Sequence, residues 1–310
     1  MKKLVFMDHD GGIDDLLSLL LLLTIDEIEL IGVSITPADC YLEPGVESSY
    51  KLLQLMGKEK DVPLGRGEYH GVNAFPPAWR AQPEVVNFLP MLINLPPSPD
   101  PYGIPNAVDL MVEKIKNASQ PVSVLMTGPC SNLVLALEKD PSIKENIAEV
   151  VWMGGAFEVG GNVQTFQHNG SAEWNVFWDP INAKKMLAYE LPLVFIPLDV
   201  TNHVPVGKTF LSRLAKQAEY KLSDLTGQFW ATTIDTIPSY HYTYYMWDIL
   251  ATSYLALKDK FEVAEAMVDI SVRPPNEGQT LLTSSGYKAK YAFDVDQEAF
   301  YEYMLQQFKR

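Results

Sequence analysis

Lys3-Leu4-Val5-Phe6-Met7, then Asp8-His9-Asp10-Gly11-Gly12-Ile13-Asp14-Asp15, then the leucine run Leu16–Thr24: this stretch decides the fold. Residues 3–7 are a short apolar run bounded by charge, which predicts a buried strand. Residues 13–24 predict a helix buried on most sides, because the run is apolar except for Ser18. Four carboxylates therefore lie between a buried strand and a helix. That is the carboxyl edge of a sheet, where open α/β folds bind ligands.

The same alternation continues outward. A second buried strand is predicted at 28–35, a helix at 44–57 and a strand at 61–65. The proline-rich stretch 73–103 reads as loop with a short helix. It also carries Phe75, Trp79 and Phe88, so it is not a domain linker. A helix at 105–117, a strand at 121–127, a helix at 130–139 and a strand at 148–153 follow. A glycine-rich loop, 154–171, leads to a helix at 180–189 and a strand at 193–197. The C-terminal third predicts helices at 208–218, 222–235, 246–257 and 296–308. Two β segments, 265–272 and 288–294, pair as an antiparallel extension. Strand alternating with helix means a mostly parallel central sheet flanked by helices. The fold class is thus α/β: one Rossmann-like domain over residues 1–310 with a small antiparallel extension.

Composition narrows the function. Thirty-nine acidic residues against 24 Lys and Arg give a net charge of −15. This balance excludes nucleic acid as a partner, since phosphate binding needs clustered cations. A small neutral ligand remains compatible. Two cysteines, Cys40 and Cys130, are too few for a disulfide framework and suggest a reduced, cytoplasmic setting. The acidic cluster from Asp8 splits any apolar core of a signal peptide. The run 16–24 is about half a membrane span, so no membrane is expected.

Four negative charges this close repel one another, and burial makes that worse unless a cation joins them. Hard dications prefer oxygen ligands and supply that charge. The glycine pair lets the backbone turn sharply and approach a ligand. A helix N-terminus alone accounts for Asp14 and Asp15, but not for the other two acids and the glycines. A phosphatase of the haloacid-dehalogenase type also carries Asp-x-Asp after its first strand. The adjacent Asp14-Asp15 pair does not belong to that pattern.

The spacing Asp-x-Asp-x-x-x-Asp-Asp resembles the inosine-uridine-preferring nucleoside hydrolase family. Further blocks carry the resemblance: Met126-Thr127-Gly128-Pro129, Gly161-Asn162-Val163, Ala172-Glu173-Trp174-Asn175 with Asp179-Pro180, Leu198-Asp199-Val200-Thr201, and Trp247-Asp248. The resemblance implies hydrolysis of the N-glycosidic bond of ribonucleosides to free base and ribose. It implies Ca²⁺ held by Asp10, Asp15, Asp248 and the carbonyl of Thr127, with Asp10 as general base toward a bound water. It gives Asp14, Asn162, Glu173 and Asn175 to the ribose, where their oxygens suit an oxocarbenium-like transition state. It also implies a homodimer or homotetramer. A non-catalytic nucleoside- or ribose-binding protein is the other alternative, although a binder needs no base at Asp10.

The family often has His-Asp where this chain has Trp247-Asp248, and His241 does not align. The chain is closer to the purine-specific inosine-adenosine-guanosine-preferring branch, through Thr36-Pro37-Ala38-Asp39-Cys40, Phe75-Pro76-Pro77-Ala78-Trp79 and Tyr244-Tyr245-Met246-Trp247-Asp248. Trp79 and Trp247 are expected to sandwich a purine and ease its protonation, since indole faces favour a cation. Asp39 is a candidate partner of the base, and Tyr244 a candidate cover. His168 is a candidate for the 5′-hydroxyl. Gly12 departs from that branch, which typically has a ribose-touching asparagine there.

Overall fold

Strand β1 (Lys3–His9) shows why the apolar run had to be buried on both sides. Leu4 and Phe6 enter one core cluster; Val5 and Met7 enter the other. Alternation of side chains along a strand puts them on opposite faces. The same split recurs at strand β4 (Val122–Met126) and β5 (Ile147–Met153). The sheet is therefore covered on both faces, as parallel sheets are.

The computed structural model describes residues 2–98, 103–233 and 243–310. His241 and the last two residues of the helix expected at 222–235 lie outside them. After β1 come α1 (Ile13–Leu22), β2 (Ile28–Ile35), α2 (Leu42–Leu55), β3 (Leu64–Arg66), α3 (Pro77–Arg80), α4 (Gln82–Asn87) and α5 (Ala107–Lys116). Beyond β4 come α6 (Ser131–Lys139), then β5, α7 (Trp174–Trp178), α8 (Pro180–Ala188), β6 (Leu193–Ile196), α9 (Leu198–Thr201), α10 (Lys208–Ala215), α11 (Lys221–Thr232) and α12 (Trp247–Tyr254). The chain closes with β7 (Phe261–Ile270), β8 (Thr280–Leu282), β9 (Tyr287–Val295) and α13 (Gln297–Gln307).

Among the described residues nine strands form one sheet, in the order β3-β2-β1-β4-β5-β6-β9-β7-β8. β9 runs parallel to β6, while β7 is antiparallel to both β9 and β8. The antiparallel extension is thus continuous with the main sheet. Every residue of α1 is buried, and its Ser18 hydroxyl donates to the Asp248 carbonyl of α12 at 3.0 Å. A fully enclosed helix tolerates only an apolar run; each enclosed leucine contributes about 1.5–3 kcal/mol.

The differences from expectation are local. β3 is shorter than the predicted 61–65, and α12 stops at Tyr254 rather than at 257. The short elements α7, α9 and β8 were not expected. They are too brief for periodicity to register, and capping or ladder contacts hold them in place. α2 begins at Leu42, so Pro44 sits in its first turn, where a missing N–H costs nothing.

Candidate active site

β1 ends in the turn that carries Asp10. Gly11 adopts φ +84°, and a side chain there would meet Cys40 at 2.7 Å. That conformation turns the chain back so that Asp14 and Asp15 open α1 beside Asp10. Asp15 accepts hydrogen bonds from the Thr127 hydroxyl at 2.5 Å and the Gly12 N–H at 2.8 Å. Asp14 accepts from the Tyr244 hydroxyl at 2.9 Å and the Asp248 N–H at 3.5 Å. Carboxylate oxygens of Asp14, Asp15 and Asp248 all lie within 4.8 Å of one another and are buried. Asp10 stands beside Asp15, and its Oδ2 accepts the Asp39 N–H at 3.2 Å.

The donors that reach Asp10, Asp14 and Asp15 leave the repulsion among the acids unrelieved. Burial pushes the Asp15 carboxyl up to about 7, with the Asp14 charge adding to it. Burial likewise lifts Asp10, Asp39 and Asp248 well above the usual carboxylate range, and neighbouring carboxylates lift them further. Such a cluster of oxygens suits a hard divalent cation, which would relieve the repulsion.

One of the four acids of the opening motif belongs elsewhere. Asp8 sits on β1 itself, so alternation turns it away from the cavity. Its Oδ1 accepts from Ser34 Oγ at 2.6 Å and Asn132 Nδ2 at 3.0 Å. Asp39 and Asp248 join the cluster in its place. The Asp39 Oδ2 lies 2.8 Å from where a side-chain carbon on residue 12 would sit. Gly12 thus leaves room for the Asp39 carboxylate.

The acids line one side of a cavity of about 680 Å³ that also receives Thr127, Met153 and Leu198 from the carboxyl ends of β4, β5 and β6. That volume suits a small molecule. Another part of the wall is the segment between β5 and α7, with α7 itself. Glu173 caps α7: its Oε1 accepts the Asn175 N–H at 2.9 Å, and its Oε2 accepts Gly155 N–H at 3.1 Å and Val176 N–H at 3.3 Å. Burial still lifts Glu173 to about 7 against these bonds. Asn175 donates to the carbonyls of Thr127 at 2.8 Å and Met153 at 3.1 Å. The Thr127 carbonyl keeps a second lone pair. Asn162 accepts the Trp174 N–H at 3.2 Å.

Two aromatic groups flank the mouth. Trp79 meets Trp174 and Phe75 edge-on, with centroids 5.5 and 6.3 Å away. Trp247 meets Tyr244 edge-on at 4.8 Å and lies 5.8 Å from Tyr245. Both indoles line the cavity with Asp39 and Tyr244. The Asp39 Oδ1 and the Trp247 Nε1 are buried without a protein partner among the described residues. His168 does not line this cavity: its Nε2 pairs with the Glu277 carbonyl at 3.0 Å and its Nδ1 accepts the Gly170 N–H. Its expected place at the 5′-hydroxyl is not where the fold puts it, because the loop turns the ring toward residue 277. Sequence reading passed over Gln82, Thr165, Asn202 and Thr243 in the cavity wall; no motif marks them.

Fold and site together define a class: an α/β enzyme with a buried acidic centre facing an aromatic-walled cavity. A family model described as inosine-uridine preferring nucleoside hydrolase matches residues 5–302, and the chain belongs to that family of N-ribosyl hydrolases. An inosine-uridine preferring nucleoside hydrolase from Bacillus anthracis is 33% identical, with a TM-score of 0.90 over 99% of both chains. A pyrimidine-specific ribonucleoside hydrolase, RihA, from Shewanella woodyi is 26% identical over 99% of this chain and 98% of its own. A purine-preferring ribonucleoside hydrolase from Gardnerella vaginalis shares the fold, with a TM-score of 0.81 at 22% identity over 99% of this chain and 98% of its own. Membership sets aside the phosphatase and the non-catalytic binding readings. Among the described residues no helix is long and apolar enough to cross a membrane.

Proposed function

We propose that the protein hydrolyses the N-glycosidic bond of ribonucleosides, purine nucleosides foremost, and that one catalytic domain over residues 1–310 does so. The observation that carries this is the meeting, in one cavity, of the acid cluster, the Glu173–Asn175 wall and the indoles of Trp79 and Trp247. The donor set fits Ca²⁺: buried carboxylates, with hydroxyl and backbone oxygens nearby and few N–H donors. Asp10, Asp15, Asp248 and the Thr127 carbonyl would hold it. Bound there, Ca²⁺ would offset the acid charge, orient ribose hydroxyls and acidify a water.

Asp10 takes the proton of the attacking water, with its carboxylate held by the Asp39 N–H. Asp14 accepts a ribose hydroxyl in place of the Tyr244 hydroxyl, which then covers the site. Asn162, Glu173 and Asn175 hold the sugar, and the Glu173 carboxyl, when ionised, suits positive charge growing at C1′. The base leaves between Trp79 and Trp247. A purine offers the larger face to such a pair, and Asp39 Oδ1, buried without a protein partner among the described residues, would accept a hydrogen bond from it. The buried free thiols of Cys40 and Cys130 support a reduced, cytoplasmic setting. The assembly is a homodimer or homotetramer, which sedimentation equilibrium reads directly.

The test is a reducing-sugar assay on inosine, guanosine, adenosine, uridine and cytidine, with and without chelator. Ribose from purines, lost on chelation and restored by Ca²⁺, is expected. Faster release from uridine and cytidine would overturn the purine preference, and release from none would overturn the activity.

A further inference from the structure

Four consecutive amides behind the sugar-facing wall are each taken by a side-chain oxygen. The Gly155 N–H goes to Glu173 Oε2 at 3.1 Å, and the Ala156 N–H to Thr280 Oγ1 at 2.9 Å. The Phe157 and Glu158 N–H groups go to the two oxygens of Asp199, at 2.9 and 2.7 Å. The Thr280 hydroxyl in turn donates to the Ala156 carbonyl at 2.7 Å. Glu173 caps α7, Asp199 lies in α9 and Thr280 in β8, and all three are buried. A strand points successive amides to opposite sides, and a helix spends them on its own carbonyls. Holding four in a row needs acceptors converging from several elements.

We propose that Asp199 and Thr280 are positioning residues for the sugar clamp, which makes the C-terminal ribbon a working part of the active site. The inference rests on the nucleoside hydrolase reading given above. Glu173 is the shared member: it faces the cavity and holds the first of the four amides. If Thr280 or Asp199 lets go, the backbone at 155–158 relaxes and the Glu173 carboxylate loses the amide that orients it. The same loop continues to Asn162, which is tied to Ala172 and Trp174. The acid cluster hangs on β1, α1 and α12 and shares none of these bonds. The clamp reaches the acid cluster through the Asn175 side chain on the Thr127 carbonyl, one step beyond the latch, so sugar affinity falls further than metal affinity when the latch opens.

The variants are Thr280→Val, which keeps the shape and removes the hydroxyl, Thr280→Ser, which restores it, and Asp199→Asn, which keeps one acceptor and turns an amine on the other amide. Three readouts apply: KM and kcat for inosine, the inhibition constant of free ribose, and Ca²⁺ affinity by calorimetry. Thr280→Val and Asp199→Asn are expected to raise KM and the ribose constant about five- to fiftyfold, since a charge-assisted or paired hydrogen bond is at stake. Ca²⁺ affinity stays within twofold, and Thr280→Ser stays near wild type. Unchanged KM and ribose affinity in both variants would overturn the proposal, as would equal loss of sugar and Ca²⁺ affinity, which marks general loosening. Amide exchange at residues 155–162 is read on the same proteins without substrate. Protection lost together across 155–158 in Thr280→Val supports the latch, even if the wild-type protein releases no ribose and the nucleoside reading fails; protection that persists overturns the latch, even in an active enzyme.

Discussion

The acid cluster and the proposed sugar clamp are built from the same kind of group and solved in opposite ways. Asp15 and Glu173 are both buried, and burial lifts both to about 7. Glu173 sits among three backbone N–H donors and no nearby carboxylate. Asp10, Asp14, Asp15 and Asp248 face one another. Glu173 thus meets donors and no competing charge, whereas the cluster sets carboxylates against one another, a repulsion that a cation would offset. A buried carboxylate is tolerable with enough donors or with a counter-charge, and this cavity uses each solution on one wall.

The largest test of that contrast is Asp10→Asn. The amide can still accept the Asp39 N–H but cannot take a proton. With Ca²⁺ raised to offset the weakened ligand, we expect kcat to fall by on the order of 10²–10⁴, more than KM rises, as for removal of a general base. A variant with near wild-type kcat would remove Asp10 from that role. Trp79→Ala should act on the other parameter. Loss of stacking, about 1–3 kcal/mol per base, should raise KM for inosine on the order of tenfold or more and raise KM for uridine less. Equal changes for both bases would end the purine argument.

Next come two substitutions with opposite signs in chelator. Asp248→Asn removes a buried charge from a donor-poor cluster and should raise the Tm of the metal-free protein while abolishing Ca²⁺ binding. Glu173→Gln turns an amine toward backbone N–H groups and should lower Tm, at a cost of about 1–3 kcal/mol. Each kcal/mol moves Tm by roughly 2–4 °C for a chain of this order. Parallel shifts in the two variants, seen by calorimetry, would erase the distinction between the walls.

The smallest effect is a slope. Asp15 and Glu173 have folded-state values near 7, above the roughly 4 of an unfolded carboxyl. The folded protein therefore binds more protons between those limits, and stability falls as pH rises through them. In chelator, Tm should drop from pH 5 to pH 8. With Ca²⁺ present the cluster's share of that drop should vanish and the share from Glu173 should remain. A flat profile in chelator would mean that neither wall carries the strain described.

The cluster was legible because its spacing is local. Asp10, Asp14 and Asp15 lie on one turn and one helix start, so a short stretch of sequence places them together. The alternation that carried the fold also held, from β1 through β6. Asp8 was the exception, since its placement depends on which face of β1 meets Ser34 and Asn132, and the motif alone does not say. The cavity-lining Asn162, Glu173 and Asn175 were singled out only by resemblance, because singly they read as loop polar residues.

By itself, then, the sequence determined the parallel α/β layering, the acid-rich turn at its carboxyl edge and the aromatic residues available to a base, because each is encoded within a few neighbouring positions. Only the tertiary structure decided that Asp39 fills the space beside Gly12, that Asp8 turns away, and that Asp199 and Thr280 hold the loop behind Glu173. Those choices depend on which distant groups meet once the sheet has closed, and pairing between residues that are tens to more than a hundred positions apart leaves no periodic trace along the chain.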